Sequence, residues 1–344
     1  DKTRFIVEQD GSGEYITIQD AIQASNEGQE GDTLFIGSGI YFESISIDSE
    51  ITLIGEDSSS TIIDGSNSRV VVTVRSTGTG TRGVLLSNLT IRNGKEQKGG
   101  GLNSSGVKLV VDKVFFENNV SNVDGEGGGI WSNSDTLIIK NSRLKNNTAG
   151  SLGGALGYFN EKSQSVLIIS NSVFENNRVL NPTSGGSGGA IHLYGNTKLE
   201  VSDTEFLSNS AYNGSVLGAN DSNVLFDRVK IIGNSGTHGT VNINNITPKN
   251  VSFINSLFYK NSTTNNGSAI SYINDISIMN CAFVDNNYAS YPVSTLLSKP
   301  FKSNAVIVNS LFEGNDWDIG LYTEGAGNHF VILVAVKTWM FCGI

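Results

Sequence analysis

From about residue 84 to residue 315 the chain repeats one arrangement of apolar and polar positions. Each copy holds a short alternating run rich in Val, Ile and Phe, then a large apolar residue, two variable residues and an Asn. Examples are VVDKVFFENN ending at Asn119, IIKNSRLKNN at Asn147, IISNSVFENN at Asn177 and EVSDTEFLSN at Asn209. The pattern continues to Asn234, Asn261, Asn286 and Asn315, at intervals of 28, 30, 32, 25, 27, 25 and 29 residues. A period of two predicts short strands, and no 3.6-residue helical period runs inside a unit. Between the strand runs recurs a glycine pair, or a small-residue equivalent, ahead of a small residue and an aliphatic: GGGL at Leu102, GGGI at Ile130, GGAL at Leu156, GGAI at Ile191, GSVL at Leu217, HGTV at Val241 and GSAI at Ile270. Glycine there permits a positive φ and a close backbone approach at a corner, while the aliphatic turns inward.

A unit of this size cannot bury its own core, so units must stack, and identical units stacked in register make parallel sheets with residue types aligned in columns. One column is predicted to be an internal stack of Phe116, Leu144, Phe174, Phe206, Ile231, Phe258, Phe283 and Phe312. A second holds Asn88, Asn141, Asn171, Asn255, Asn280 and Asn309, whose amides can bond along the array. The expected fold is all-β: a single right-handed parallel β-helix, a solenoid, with the hand set by the near-invariant handedness of parallel crossovers. About 11 coils give a rod of roughly 50 Å. One amphipathic helix, about Thr17 to Ser25, places Ile18, Ala21, Ile22 and Ser25 on one face and is expected to cap the first coil. The organisation expected is a β-helix over 1–328 and a separate C-terminal apolar segment, 329–344, acting as a cap or an assembly contact.

Composition narrows the partners. The 344 residues include 40 Gly, 39 Asn and 66 Ser plus Thr, with only 16% charged. A net charge of −10, with no cluster of Lys or Arg, disfavours nucleic acid. The longest apolar tract, Phe330 to Val336, is far short of the roughly 20 residues that span a bilayer, so no membrane span is expected. Cys281 lies in an apolar strand pattern and reads as a buried thiol, with Cys342 the other cysteine.

The opening, DGSGEYITIQDAIQAS with GIYFESISI and ITLIGED, resembles the start of pectin methylesterases and of many secreted β-helix proteins of the pectin-lyase-like right-handed parallel β-helix superfamily. The GGAI and FENN pairs resemble the repeats of bacterial polymorphic outer membrane proteins, which are surface adhesins. That second resemblance implies a surface passenger. The catalytic stretches of pectin methylesterases, a Gln-Asp-Thr strand end and an Asp-Phe-Ile-Phe-Gly strand, have no counterpart here. Thr237-His238-Gly239 and Arg228-Val229-Lys230 echo polygalacturonase motifs, but in the wrong order.

Among charged residues, Asp203, Glu205, Asp227, Arg228 and Lys230 fall on adjacent coils, as a lyase site would need. In the repeat register, however, Asp203 lies beside Arg228 and Glu205 beside Lys230, the pattern of solvated cross-strand pairs. Glu117, Lys145 and Glu175 form a similar ladder. His192 and His238, read as two coils apart on glycine-motif strands, sit about 16 Å from each other and share no ligand. The acids of Asp10–Glu14 and Asp124–Glu126 read as turns. The 10 Tyr and 3 Trp form no single column of the kind a sugar platform needs. Neither catalytic residues, nor a cofactor, nor a metal site is predicted.

Ten Asn-x-Ser/Thr sequons stand against about seven expected from composition, so their number carries no signal. Asn103, Asn213, Asn220 and Asn266 are the expected loop carriers of glycan in a chain secreted by a eukaryote, the repeat Asn positions facing the turn. The function expected is that of a non-catalytic extracellular or cell-surface protein, an adhesin or a structural fibre subunit, self-associating head to tail and possessing a carbohydrate contact. The alternative is a polysaccharide lyase or glycoside hydrolase acting on acidic polysaccharide.

Overall fold

The computed structural model describes residues 4–333 apart from 27–30, 77–81, 161–164, 182–184, 246, 248, 274, 289–293, 299–303, 316 and 322–328. The alternating runs stack as parallel strands into three sheets of 22, 11 and 8 strands, called here sheets 1, 2 and 3. Most coils give sheet 1 two short strands, and sheets 2 and 3 one each. Parallel pairing throughout follows from the repeat, because each strand meets its own equivalent one coil on.

The predicted Phe/Leu/Ile column runs in unbroken register through sheet 1, from Phe116 to Phe312. All eight side chains are buried. Aromatic neighbours stack where they follow one another: Phe174 on Phe206 at 5.0 Å, Phe258 on Phe283 at 4.6 Å and Phe283 on Phe312 at 4.8 Å between centroids. One continuous apolar core fills the coil from Val7 to Phe312.

The Asn-rich signature resolves into two devices. Asn88, Asn141, Asn171, Asn255, Asn280 and Asn309 all have φ between 46° and 55° and form the corner between the two sheet 1 strands of a coil. Asn is among the few non-glycine residues that visit this left-handed region readily. The expected amide bonds along this column exist from Asn309 to Asn280 (2.8 Å) and from Asn280 to Asn255 (3.1 Å).

The repeat Asn residues behave differently from the expectation that they face the turn. Asn119, Asn147, Asn177, Asn209, Asn234, Asn261 and Asn286 are fully buried. Each Nδ2 donates to Oδ1 of the next, Asn315 closing the series, at 2.9–3.1 Å. The same Oδ1 also accepts a backbone N–H from the coil before, and Nδ2 donates to a carbonyl such as Phe116 O or Leu144 O. A chain turning a corner inside the coil leaves backbone groups without ladder partners, and the inward amide satisfies them.

The helix spans Ile18–Asn26, with Ile18, Ala21, Ile22 and Ser25 buried as the amphipathic pattern predicts. Its N-terminus is held by Glu43, whose carboxylate accepts the N–H groups of Ile18 and Gln19 at 2.9 Å, which suits the positive end of the helix dipole. It packs on strands Arg4–Val7, Asp32–Ile36 and Ile45–Ile47.

At the other end, the first residues of the expected C-terminal segment form a strand. His329–Leu333 pairs in parallel register with Asn304–Val308 and so adds a further rung to sheet 1. The remainder of the apolar segment, with Cys342, lies outside the described residues. Cys281 is buried, and burial pushes its thiol up to about 11.

Candidate functional site

The charged residues singled out in the sequence come together as pairs rather than as a site. Arg228 holds Asp203 with both Nε (2.7 Å) and Nη2 (2.8 Å) and also contacts Asp227; Lys230 Nζ lies 2.7 Å from Glu205 Oε1. The guanidinium hydrogen bonds hold the Asp203 carboxyl below its usual range. All lie on the outer surface of sheet 1, where solvent screens such pairs and they contribute little to stability. Glu117, Lys145 and Glu175 are in register, and Lys145 and Arg143 both pair with Glu175. Asp10 accepts from Ser12 N at 2.9 Å and Oγ at 2.6 Å, the local turn expected of it.

The two histidines lie on different sheets, which corrects their assignment to equivalent strands. His192 is on the sheet 2 strand Ile191–Tyr194, whereas His238 ends the sheet 3 strand Ser235–His238 and packs edge-on to Tyr212 at 5.1 Å. The glycine corner falls between the two sheets, so His238 precedes its corner and His192 follows its own.

A groove of about 710 Å³ opens where sheets 2 and 3 meet, on the outside of the coil. Its sheet 3 wall is the column just before the corner glycines: Lys98, Glu126 and Leu152, which lie in register. The corners fix this wall. Gly127 has φ 62°, and a Cβ on Gly128 would meet Gly154 O at 2.4 Å, so no other residue turns the chain so closely against the next coil.

The opposite wall is the outer face of sheet 2. Ile130, Leu156 and Ile191 point into the core, so the residues one and three places later point out. Those residues are Trp131, Asn133, Phe159 and Tyr194. The Trp131 and Phe159 rings stack with centroids 6.0 Å apart and 19° between planes. Phe159 and Tyr194 are partners in register, and Tyr194 is 47% exposed. Three coils therefore present aromatic rings side by side, although not in one column, since Trp131 faces Gly157 in register and Phe159 faces Tyr194.

Polar groups edge that platform. Trp131 Nε1 donates to Glu126 Oε2 at 2.9 Å, and Lys98 Nζ lies 3.8 Å from the same oxygen and 4.6 Å from the indole centroid. A contiguous hollow of about 400 Å³, sharing Lys98 and Trp131, is lined further by Arg75, Asn103 and Ser105. Two cations thus stand at one end of the groove, and Glu126 is the carboxylate of its lining among the described residues.

Of these residues, the sequence pattern had singled out only Glu126, as part of a turn, and Asn103, as a glycan acceptor. The missed signal lies in the glycine motif. Aligned on it, the chain reads GGI-Trp131, GGALGY-Phe159 and GGAIHL-Tyr194, with aromatics at outward positions on three successive copies.

The four expected glycan acceptors lie on strands, not loops: Asn103 on Leu102–Ser105, Asn213 on Ser210–Asn213, Asn220 on Leu217–Asn220 and Asn266 on Ser262–Asn266. Asn103 donates from Nδ2 to Lys98 O at 3.0 Å inside the groove. Asn119 and Asn261, also sequons, are buried in the amide ladder.

Comparison with known proteins agrees on the architecture. Residues 4–117 match the model of the pectinesterase family. Comparison with curated proteins gives no match. Among solved structures, a mannuronic acid specific polysaccharide family 6 lyase from human gut microbiota aligns with a TM-score of 0.50 at 12% identity, covering 93% of this chain and 82% of that one. Pectin methylesterase from carrot aligns at TM-score 0.44 and 11% identity over 97% of this chain and 88% of its own. The polygalacturonase of Erwinia carotovora aligns at 0.41 and 12% over 98% and 96%. With its three parallel sheets stacked coil on coil, the chain has the parallel β-helix fold of the pectin-lyase-like proteins, and its first third is similar to the pectinesterase family.

Proposed function

We propose that this protein is an enzyme acting on an acidic polysaccharide bound along the groove between sheets 2 and 3. The observation that carries the reading is the stacked Trp131–Phe159 pair, continued by Tyr194, beside Lys98 and Arg75. Flat aromatic faces suit the apolar C–H faces of sugar rings, and the cations suit a carboxylate on the same chain of sugars.

Elimination fits the groove better than hydrolysis. Hydrolysis of a glycosidic bond uses two carboxyl groups on either side of it, and the described lining offers Glu126 alone. Elimination from a uronate needs a cation to neutralise the sugar carboxylate and a base to accept the proton beside it. Lys98 and Arg75 can serve as the cations, and Glu126, oriented by the Trp131 indole, as the base. The lyase that shares the fold is specific for mannuronic acid, itself a uronate. The adhesin or fibre reading, with head-to-tail stacking, rests on the repeat alone, which rods and enzymes share. Polymers of this kind place the protein outside the cell or at its surface. In a eukaryotic secretory route, Asn213, Asn220 and Asn266 are the proposed glycan acceptors, whereas a glycan on Asn103 stands in the groove.

The test is a screen of polygalacturonate and mannuronate-rich polymer for the ultraviolet absorbance of unsaturated uronate ends, alongside direct binding. Trp131→Ala is expected to weaken binding about tenfold, equivalent to about 1.4 kcal/mol, and Glu126→Gln to abolish turnover while binding persists. Absence of binding to every acidic polymer tried sinks the proposal.

A further inference from the structure

His192 is an unusual residue to find under an aromatic platform. It points to the outer face of sheet 2, yet it is 4% exposed. Its partners in register are Gly157 on one side and Gly218 on the other, so no side chain of its own column touches it. The corner at Gly188 closes it from behind, where even a Cβ would come within 2.6 Å of His192 N. The imidazole centroid lies 5.6 Å from that of Phe159, and Nδ1 is buried without a hydrogen-bond partner. Phe159 is the ring between the imidazole and the open groove, and Phe159 in turn stacks on Trp131.

We propose that His192 is the positioning residue of the platform: neutral, it wedges Phe159 against Trp131, and on taking up a proton it swings toward water and displaces Phe159. The physical reason is the surroundings. Gly157, Gly218 and the Gly188 corner carry no charge. Tyr194, two residues along the strand, and Tyr158, whose hydroxyl donates to Ser134 O at 2.6 Å from the core side, are neutral phenols. Lys98 and Glu126 stand against Trp131, one ring beyond Phe159. Burial alone pushes His192 down to about 4, and no charged group among the described residues compensates an imidazolium where the ring now lies. With backbone behind it, the way of the ring into the groove leads past Phe159. The groove is thereby set for ligand in neutral conditions and loosened in acid. This device rests on the carbohydrate reading for its purpose, but its measurement needs no ligand.

The experiment is tryptophan emission of the free protein between pH 7 and pH 3, with Trp131→Phe supplying the background of Trp317 and Trp339. The Trp131 component is expected to shift red with a midpoint near 4, before far-UV circular dichroism changes, and His192→Gln is expected to remove the shift. A shift retained in His192→Gln, no shift in the wild type, or a shift coincident with loss of far-UV signal overturns the proposal. Should His192→Gln not fold, histidine NMR titration of the wild type and of Phe159→Leu decides instead. A wild-type midpoint near 4 that rises toward the ordinary value of about 6.5 in Phe159→Leu supports the wedge; equal midpoints overturn it. Failure of polysaccharide binding at neutral pH with this shift intact removes the functional reading and leaves the wedge standing.

Discussion

Gly157 shows how much one missing methyl group can arrange. It faces Trp131 across one coil and His192 across the next. A Cβ there would stand 2.7 Å from Phe159 Cε2, inside contact distance, so the glycine is what lets Phe159 lie back toward Trp131. The nearest atom is the end of a side chain, which can move aside at small cost, and the backbone N of Gly127, at 3.1 Å, needs to give by only a few tenths of an ångström. Gly157→Ala is therefore expected to change stability by less than about 1 kcal/mol while lowering polysaccharide affinity about tenfold. Denaturant titration and binding measured on the same sample check the two halves; equal affinity means that Phe159 does not form part of the ligand surface.

At the scale of the strand and its neighbours, two columns hold the coils together by different physics. The Phe column works by dispersion and burial. Phe206, stacked on Phe174 and on Phe226 (5.8 Å) and fully buried, should cost about 3–5 kcal/mol on mutation to Ala, because the flanking coils are too rigid to close the cavity. The Asn ladder works by satisfaction. Asn177→Ala removes the acceptor for both Asn147 N and Nδ2 and the donor to Leu144 O and Asn209 Oδ1, all buried. Each orphaned group costs about 1–3 kcal/mol, so urea unfolding is expected to show a loss of at least about 3 kcal/mol. A loss below about 1 kcal/mol means that water enters the ladder and replaces the amide.

For the molecule as a whole, acid is the weak direction. His192, held down to about 4 from an unfolded value near 6.5, excludes a proton that the unfolded chain binds. The stability tied to it is fully present above pH 6.5 and is lost as pH falls from there toward 4, a total of about 3 kcal/mol. Glu175, lowered chiefly by its Arg143 hydrogen bond, and Asp64, held down despite burial by Ser66 N–H, Arg92 and Asn93, act lower. Their contribution is present above the ordinary carboxylate range and lost as pH drops through their depressed values. The midpoint of thermal unfolding should therefore fall between pH 6.5 and 4, and His192→Gln should flatten that part of the curve. An unchanged slope in the variant excludes a buried neutral His192.

The strand period, the stacking and the Phe column were legible in the sequence, because a repeat forces equivalent residues into one column whatever the corners do. The pairing of Asp203 with Arg228 and of Glu205 with Lys230 followed for the same reason, register being the only information needed. What the repeat left open was direction. Asn141 and Asn147 look alike in a string of letters, but one takes the left-handed corner with its side chain outside and the other turns its amide inward, a choice set by which backbone groups the coil leaves unpaired. The groove was hidden because its walls come from either side of the glycine corner: Lys98 and Glu126 before it, Trp131, Phe159 and Tyr194 after it. Only the folding of sheet 2 against sheet 3 at Gly99, Gly127, Gly153 and Gly188 sets those residues face to face.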